Sequence, residues 1–157
     1  MKKLNSDIII EQARAWLGTK FHHQGRLKRD RYDKGGCDCI GLIMGVSSEL
    51  DIKSKQGGRL ADYDQLDYNL QPDGHSLYEN LAEHLVEIAI SEIKKADILL
   101  FSFDKMPQHV AFYDYNSTTY TGYLIHCYYK IRCVTEHIYD KSWQDKLVTA
   151  FRFSQLC

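Results

Sequence analysis

The sequence predicts an α+β fold, with helices first and an antiparallel sheet after them. Three observations predict it. Apolar residues up to Ile88 recur at helical spacing, as in Ile9, Ile10, Ala13, Trp16 and Leu17. From Ile98 onward the period changes to that of short strands divided by turn signals. There are no internal repeats, low-complexity segments or linker, so the 157 residues read as a single domain, 1–157, large enough for a real core.

The first helix is expected from Ser6 to Leu17, with Ser6 or Asp7 as cap and Gly18 as terminator. Thr19 to Gly36 reads as an exposed loop, with His22, His23 and Gln24 near its start. Its charge run Arg26-Leu27-Lys28-Arg29-Asp30-Arg31 reads as a solvated face, with a phosphate or carboxylate contact as the alternative. Next, Gly35-Gly36-Cys37-Asp38-Cys39-Ile40-Gly41-Leu42-Ile43 is a glycine-rich turn entering an apolar helix, expected from Cys39 to Leu50. Asp38 stands where an N-cap is preferred. Gly41 leaves little bulk one turn in, so another element can pack closely.

Asp51 to Gly74 is polar and long, and is expected as a substrate-side loop with short helical pieces. Ser76 to Ile88 is a predicted third helix, with Leu77, Leu81, Leu85 and Ile88 in register and Ser76 and Glu79 as a capping box. Five strands follow: Ile98 to Phe103, His109 to Tyr113, Thr121 to Tyr128, Arg132 to Ile138, and Leu147 to Phe153. Met106-Pro107 and Asn116-Ser117 mark turns. Tyr139 to Lys146, with Trp143, reads as a short helical crossing.

Composition removes several classes of function. Twenty basic residues against 21 acidic ones leave a net charge of −1, which gives no general pull toward nucleic acid or an anionic membrane. No apolar run approaches membrane-spanning length. The basic start is followed by Ile8-Ile9-Ile10, which Glu11 and Gln12 interrupt before a signal-peptide core forms. Cytoplasmic synthesis without a signal peptide is therefore expected, with delivery by another machine for any action outside. Five cysteines form no evident disulfide framework. Eleven tyrosines read as strand filler, with a polar ligand surface as the alternative.

Cys39 is the candidate nucleophile. The first turn of a helix presents unpaired N–H groups and the positive end of the macrodipole, and both favour a thiolate. The alternative is a small buried hydrophobe, the usual state of a free cysteine. A cysteine hydrolase needs a base and a polar group to aim it. His109 opens a strand after a proline turn, and His126 lies on the next strand. If those strands are neighbours, His126 orients His109 through one ring nitrogen and leaves the other for Cys39. Either histidine alone reads first as a satisfied sheet residue, and the pattern with Cys39 is what makes the pair specific.

The run Asp38-Cys39-Ile40-Gly41-Leu42 resembles the Asp-Cys-x-Gly-Leu nucleophile motif of the NlpC/P60 cell-wall peptidases, a papain-like superfamily. Asp97-Ile98-Leu99-Leu100-Phe101, Gln108-His109-Val110-Ala111-Phe112-Tyr113 and Ile125-His126 resemble that family's next strand, base motif and second histidine. Trp16 to Arg26, with Trp143, Leu147 and Ala150 to Phe153, resemble its phage-type branch. The resemblance covers nearly the whole chain. It implies a nucleophile helix packed on a five- to six-stranded antiparallel sheet.

The resemblance also implies a Cys39-His109-His126 triad that hydrolyses amides of peptidoglycan stem peptides through a thioester, next to γ-D-glutamyl and diaminopimelate groups. No metal or other cofactor is implied, and a phage tail or secretion system is a candidate partner. The oxyanion would be held near the helix start by backbone N–H groups including that of Cys39, with Asp38 and Phe21 nearby. Gln24, Arg26 and Lys28 are candidates for gripping substrate, the two cations for a carboxylate. Three departures stand out: Phe21 replaces a tyrosine common in the family, Ala96 replaces a glycine, and Cys37 adds a second thiol. Cys37 reads as a bystander, or as half of a protective disulfide under oxidation.

Other readings stay open. Cys37, Cys39, His22 and His23 offer four zinc ligands for a structural module, at a tighter spacing than usual. The same fold also serves amide hydrolysis or acyl transfer on a lipid or a protein, or an inactive tail-assembly role.

Overall fold

The computed structural model describes residues 3–66, 68, 75–104 and 106–157. The Pro72 and Asp73-Gly74 turn signals lie outside the described residues. Helix α1 spans Ser6–Arg14 and buries Ile9, Ile10 and Ala13. Its cap is Asn5, not Ser6 or Asp7: the Asn5 side chain accepts from the Ile8 N–H at 3.0 Å. The segment expected to be a plain loop holds a two-stranded ribbon, β1 (Arg26–Leu27) against β2 (Gly36–Cys37). Asp30 closes its turn by accepting from the N–H groups of Tyr32 and Asp33 at 2.7 and 2.8 Å. The ribbon leads into α2, Cys39–Glu49, which Asp38 caps by accepting from the Gly41 N–H at 2.7 Å.

Gly41 is required by a close approach. A Cβ there would sit 2.1 Å from the Gly25 carbonyl oxygen. That contact holds the loop before β1 against the first turn of α2. Gly41→Ala is therefore expected to destabilise the protein by roughly 1–3 kcal/mol, because backbone cannot yield as a flexible side chain would. Urea denaturation checks this, and unchanged stability would mean the approach is looser than described.

A 3-10 turn at Leu60–Tyr63 follows. Helix α3 spans Ser76–His84, shorter than its apolar spacing predicts. Leu85 is extended, and Val86–Ile88 is strand β3, paired with the last strand. Sheet pairing with a distant segment overrides helical spacing here. The cap position is His75, with Ser76 the first helical residue, so the expected capping box is out of register by one.

The remaining strands are β4 (Ile98–Phe103), β5 (Met106–Asn116), β6 (Thr121–Tyr128), β7 (Cys133–Ile138) and β8 (Leu147–Arg152), with α4 (Lys141–Gln144) between β7 and β8. Strand β5 begins earlier than predicted, and the turn before it lies at Asp104, in the left-handed region at φ 52°. The six strands form one antiparallel sheet in the order β3-β8-β4-β5-β6-β7.

Both faces of this sheet are covered, which is why Ile98 to Phe101 read as a continuous apolar run. One face packs Ile98, Leu100, Val110, Phe112 and Ile125 against α1 and α2. The other carries Leu99, Phe101, Ala111, Leu124 and Ala150, flanked by Tyr139 and Trp143. At the base of β4, Asp97 is fully buried and takes two bonds from Arg152 on β8, at 2.7 and 2.8 Å. No helix among the described residues is long and apolar enough to cross a membrane.

Candidate active site

Alternation along the strands decides where the histidines point. Val110 and Phe112 face the helices, so His109 and Ala111 face the other way. Ile125 and Cys127 likewise leave His126 on that second face. The two rings meet there, with His109 Nε2 and His126 Nδ1 2.6 Å apart. His109 is 5% exposed and His126 fully buried. A third imidazole, not anticipated from the sequence, extends the row: His126 Nε2 lies 2.7 Å from His137 Nε2 on β7. Trp143 of α4 covers all three, with ring centroids 5.8, 5.0 and 5.6 Å from those of His109, His126 and His137.

Burial keeps His109 and His126 neutral. It lowers His109 from 6.5 to about 3, helped by charge on His137. It lowers His126 from 6.5 to about 2, helped by charge on His109 and His137. The sign for stability follows from proton counting. Below 6.5 the unfolded chain takes up protons that the folded chain refuses until about 3, so the unfolded state is favoured as pH falls through that window. Each imidazole contributes a slope of at most about 1.4 kcal/mol per pH unit. Urea midpoints are expected to fall steadily below about pH 6.5, and less steeply in His126→Gln. Midpoints flat across that window would contradict the neutral buried pair.

Cys39 approaches from the helix side. It is partly exposed, and its sulfur lies by the backbone N–H groups of Val110 and Ile40, both of which favour the thiolate. Val110 follows His109 directly, so the sulfur and the imidazole belong to the same end of β5. No hydrogen bond joins them in this geometry. The expectation that the helix N-terminus holds a thiolate is reversed. Loss of water around the sulfur, with the charge of Asp38, pushes the thiol up to about 12. A helix N-terminus is worth at most about 2 kcal/mol, too little to offset that desolvation.

Asp38 is the hub beside Cys39. It is 5% exposed. Besides capping α2, it accepts from the Gln24 N–H at 2.8 Å, from Arg26 at 3.2 Å and from the Tyr68 hydroxyl. Gln24 adds a bond from its side chain to the Tyr68 carbonyl at 2.8 Å. Arg26 is not free to grip a substrate carboxylate, because its guanidinium already holds Asp64 through two bonds, at 2.8 and 3.0 Å. Lys28 pairs with Glu49 at 3.1 Å. That is the far end of α2, about 15 Å along the helix from Cys39. Phe21 is half-buried against the helix-side core and has no hydroxyl to offer. Tyr68 and Asp64 were unforeseen, since only the fold carries their loop to the start of α2.

Cys37 is fully buried, and its backbone carbonyl accepts from the Cys127 thiol at 3.1 Å. It faces the core rather than the opening at Cys39. All five cysteines are free. Among the described residues no group of three or more His, Cys, Asp or Glu is placed to hold a metal ion.

Solved structures share this architecture. An NlpC/P60 family protein from Bacillus cereus superposes with a TM-score of 0.64 and 17% identity, covering 97% of this chain and 41% of its own. The chain thus spans about two fifths of that relative. The NlpC/p60 domain of the peptidoglycan hydrolase SagA gives 0.60 and 17%, covering 95% of this chain and 99% of its own. An N-acetylmuramoyl-L-alanine amidase from Bacteroides uniformis gives 0.54 and 12%, covering 93% and 96%. Among curated proteins none matches significantly in sequence. The sequence profile of the NlpC/P60 family matches residues 18–152. With that match across most of its length, the chain belongs to the NlpC/P60 family.

Proposed function

We propose that the protein is a cysteine peptidase that hydrolyses amide bonds in peptidoglycan stem peptides, of the γ-D-glutamyl–diaminopimelate type. The observation that carries this reading is the 2.6 Å bond between His109 and His126 at the strand end where Cys39 enters. The relatives named peptidoglycan hydrolase and amidase support the substrate class. Residues 1–157 act as one catalytic domain, delivered to the wall by a phage tail or secretion system.

Cys39 is the nucleophile, His109 the base and His126 the group that aims it. The resting pair is a neutral thiol and a neutral imidazole, so proton transfer accompanies attack rather than preceding it. His109 Nδ1 takes the proton from Cys39 Sγ as the sulfur bonds to the substrate carbonyl carbon. Backbone N–H groups at the start of α2, that of Cys39 among them, hold the oxyanion. His109 returns the proton to the departing amine as the C–N bond breaks. Water, losing a proton to the same nitrogen, then cleaves the thioester to a carboxylic acid and restores the thiol. The Cys39–His109 hydrogen bond forms only when substrate binds, since catalytic hydrogen bonds are often long or absent in the free enzyme.

Mass spectrometry of muropeptides digested by the wild type and by Cys39→Ala tests the reading. New amine and carboxyl termini within stem peptides are expected from the wild type alone. Intact peptides from both would refute the substrate class.

A further inference from the structure

The row of imidazoles does not end at His126. His137 Nε2 lies 2.7 Å from His126 Nε2, and His137 Nδ1 lies 2.9 Å from the Ile138 carbonyl oxygen. The register explains the fit. Thr135 stands opposite His126, and His137 is two residues along β7, so its ring is the diagonal neighbour on the same face.

A carbonyl oxygen only accepts, so the hydrogen of that last bond sits on His137 Nδ1. A neutral imidazole carries one N–H. His137 Nε2 therefore accepts, and His126 Nε2 donates to it. That leaves His126 Nδ1 as an acceptor, so His109 Nε2 donates. His109 Nδ1 is then left with a lone pair, which is the form a general base requires. The direction of every bond in the row descends from one backbone carbonyl on β7.

We propose that His137 is a positioning residue that sets the tautomer of His109 through His126. The inference rests on the reading of His109 as the base. Without an acceptor at position 137, His126 is free to carry its hydrogen on Nδ1. It then donates to His109 Nε2, and His109 Nδ1 becomes protonated and useless as a base. Protonation of His137 has the same effect, because both its nitrogens then donate and the row reverses. The titratable groups facing His137 are His126 and, beyond it, His109 on the sheet, with Asp140 at the start of α4.

Three variants separate this role from packing. His137→Phe keeps a ring beneath Trp143 but offers no acceptor. Its kcat is expected to fall roughly 10-fold, as the inactive tautomer comes to dominate, with KM little changed. His137→Gln restores an acceptor and is expected to stay within about threefold of wild type. Nitrogen NMR of the imidazoles reads the tautomers without any substrate: wild-type His109 is expected to carry its hydrogen on Nε2, and His137→Phe to show a mixture. A wild-type His109 protonated on Nδ1 near neutral pH would overturn the proposal, whether or not the variants fold. So would a His137→Phe protein with wild-type kcat. His109→Ala separates the two levels: if it keeps full activity the base assignment itself fails, and if it is inactive while His137→Phe is unaffected only the role of His137 fails.

Discussion

Replacing Cys39 with alanine is expected to lower peptidoglycan hydrolysis by roughly 10⁴-fold or more while leaving the fold intact. The two halves of that expectation have separate causes. No thioester forms without the sulfur, and an oxyanion site with no attacking atom has little to stabilise. The side chain is small and partly exposed, so its loss leaves no sealed cavity in the core. Cys37→Ala is the control. Cys37 is fully buried, so its removal costs about 1 kcal/mol of packing. Its side chain is sealed in the helix-side core, so turnover per folded molecule is expected to persist. Parallel measurement of kcat and urea stability in both variants decides the matter. An inactive Cys37 variant beside an active Cys39 variant would reverse the assignment.

The second large effect concerns the imidazoles. His109→Ala is expected to lower kcat by roughly 10³- to 10⁴-fold, because the proton of the thiol then has no acceptor. His126→Ala is expected to cost less, roughly 10- to 100-fold, since a misaimed base still acts in a fraction of encounters. The order is set by contact: in the proposed mechanism the first ring touches the reacting proton and the second acts through the first. His126→Ala also strands a buried nitrogen on His109, a loss of about 1–3 kcal/mol in stability. His126→Gln, which can both donate and accept, is the better probe of aim alone. Complete and equal loss in both alanine variants would erase the distinction between base and orienting group.

The sequence was most legible where its signals were local. Asp38, Cys39 and Gly41 announce a capped helix within four residues, and α2 begins at Cys39. Strand β6 runs from Thr121 to Tyr128, the bounds its alternation predicts. Leu85 and Ile88 misled because they continue a helical spacing whose last turn is captured by β8, some sixty residues on. The charges of Arg26 and Lys28 were visible, but their partners Asp64 and Glu49 were not, since only folding brings them together. His137 was missed for a related reason. Its importance depends on strand register, and nothing near it in the chain states which residue of β6 it will lie beside.

The placement of β8 bears on when the enzyme becomes dangerous to its maker. That strand emerges after β3 to β7, yet it lies between β3 and β4 rather than at a margin. A nascent chain that has emerged through residue 140 already contains the sulfur and every imidazole of the row, but it has neither the indole that covers them nor the strand that joins the two parts of the sheet. Vectorial synthesis thus postpones closure of the sheet around these side chains until β8 itself has emerged.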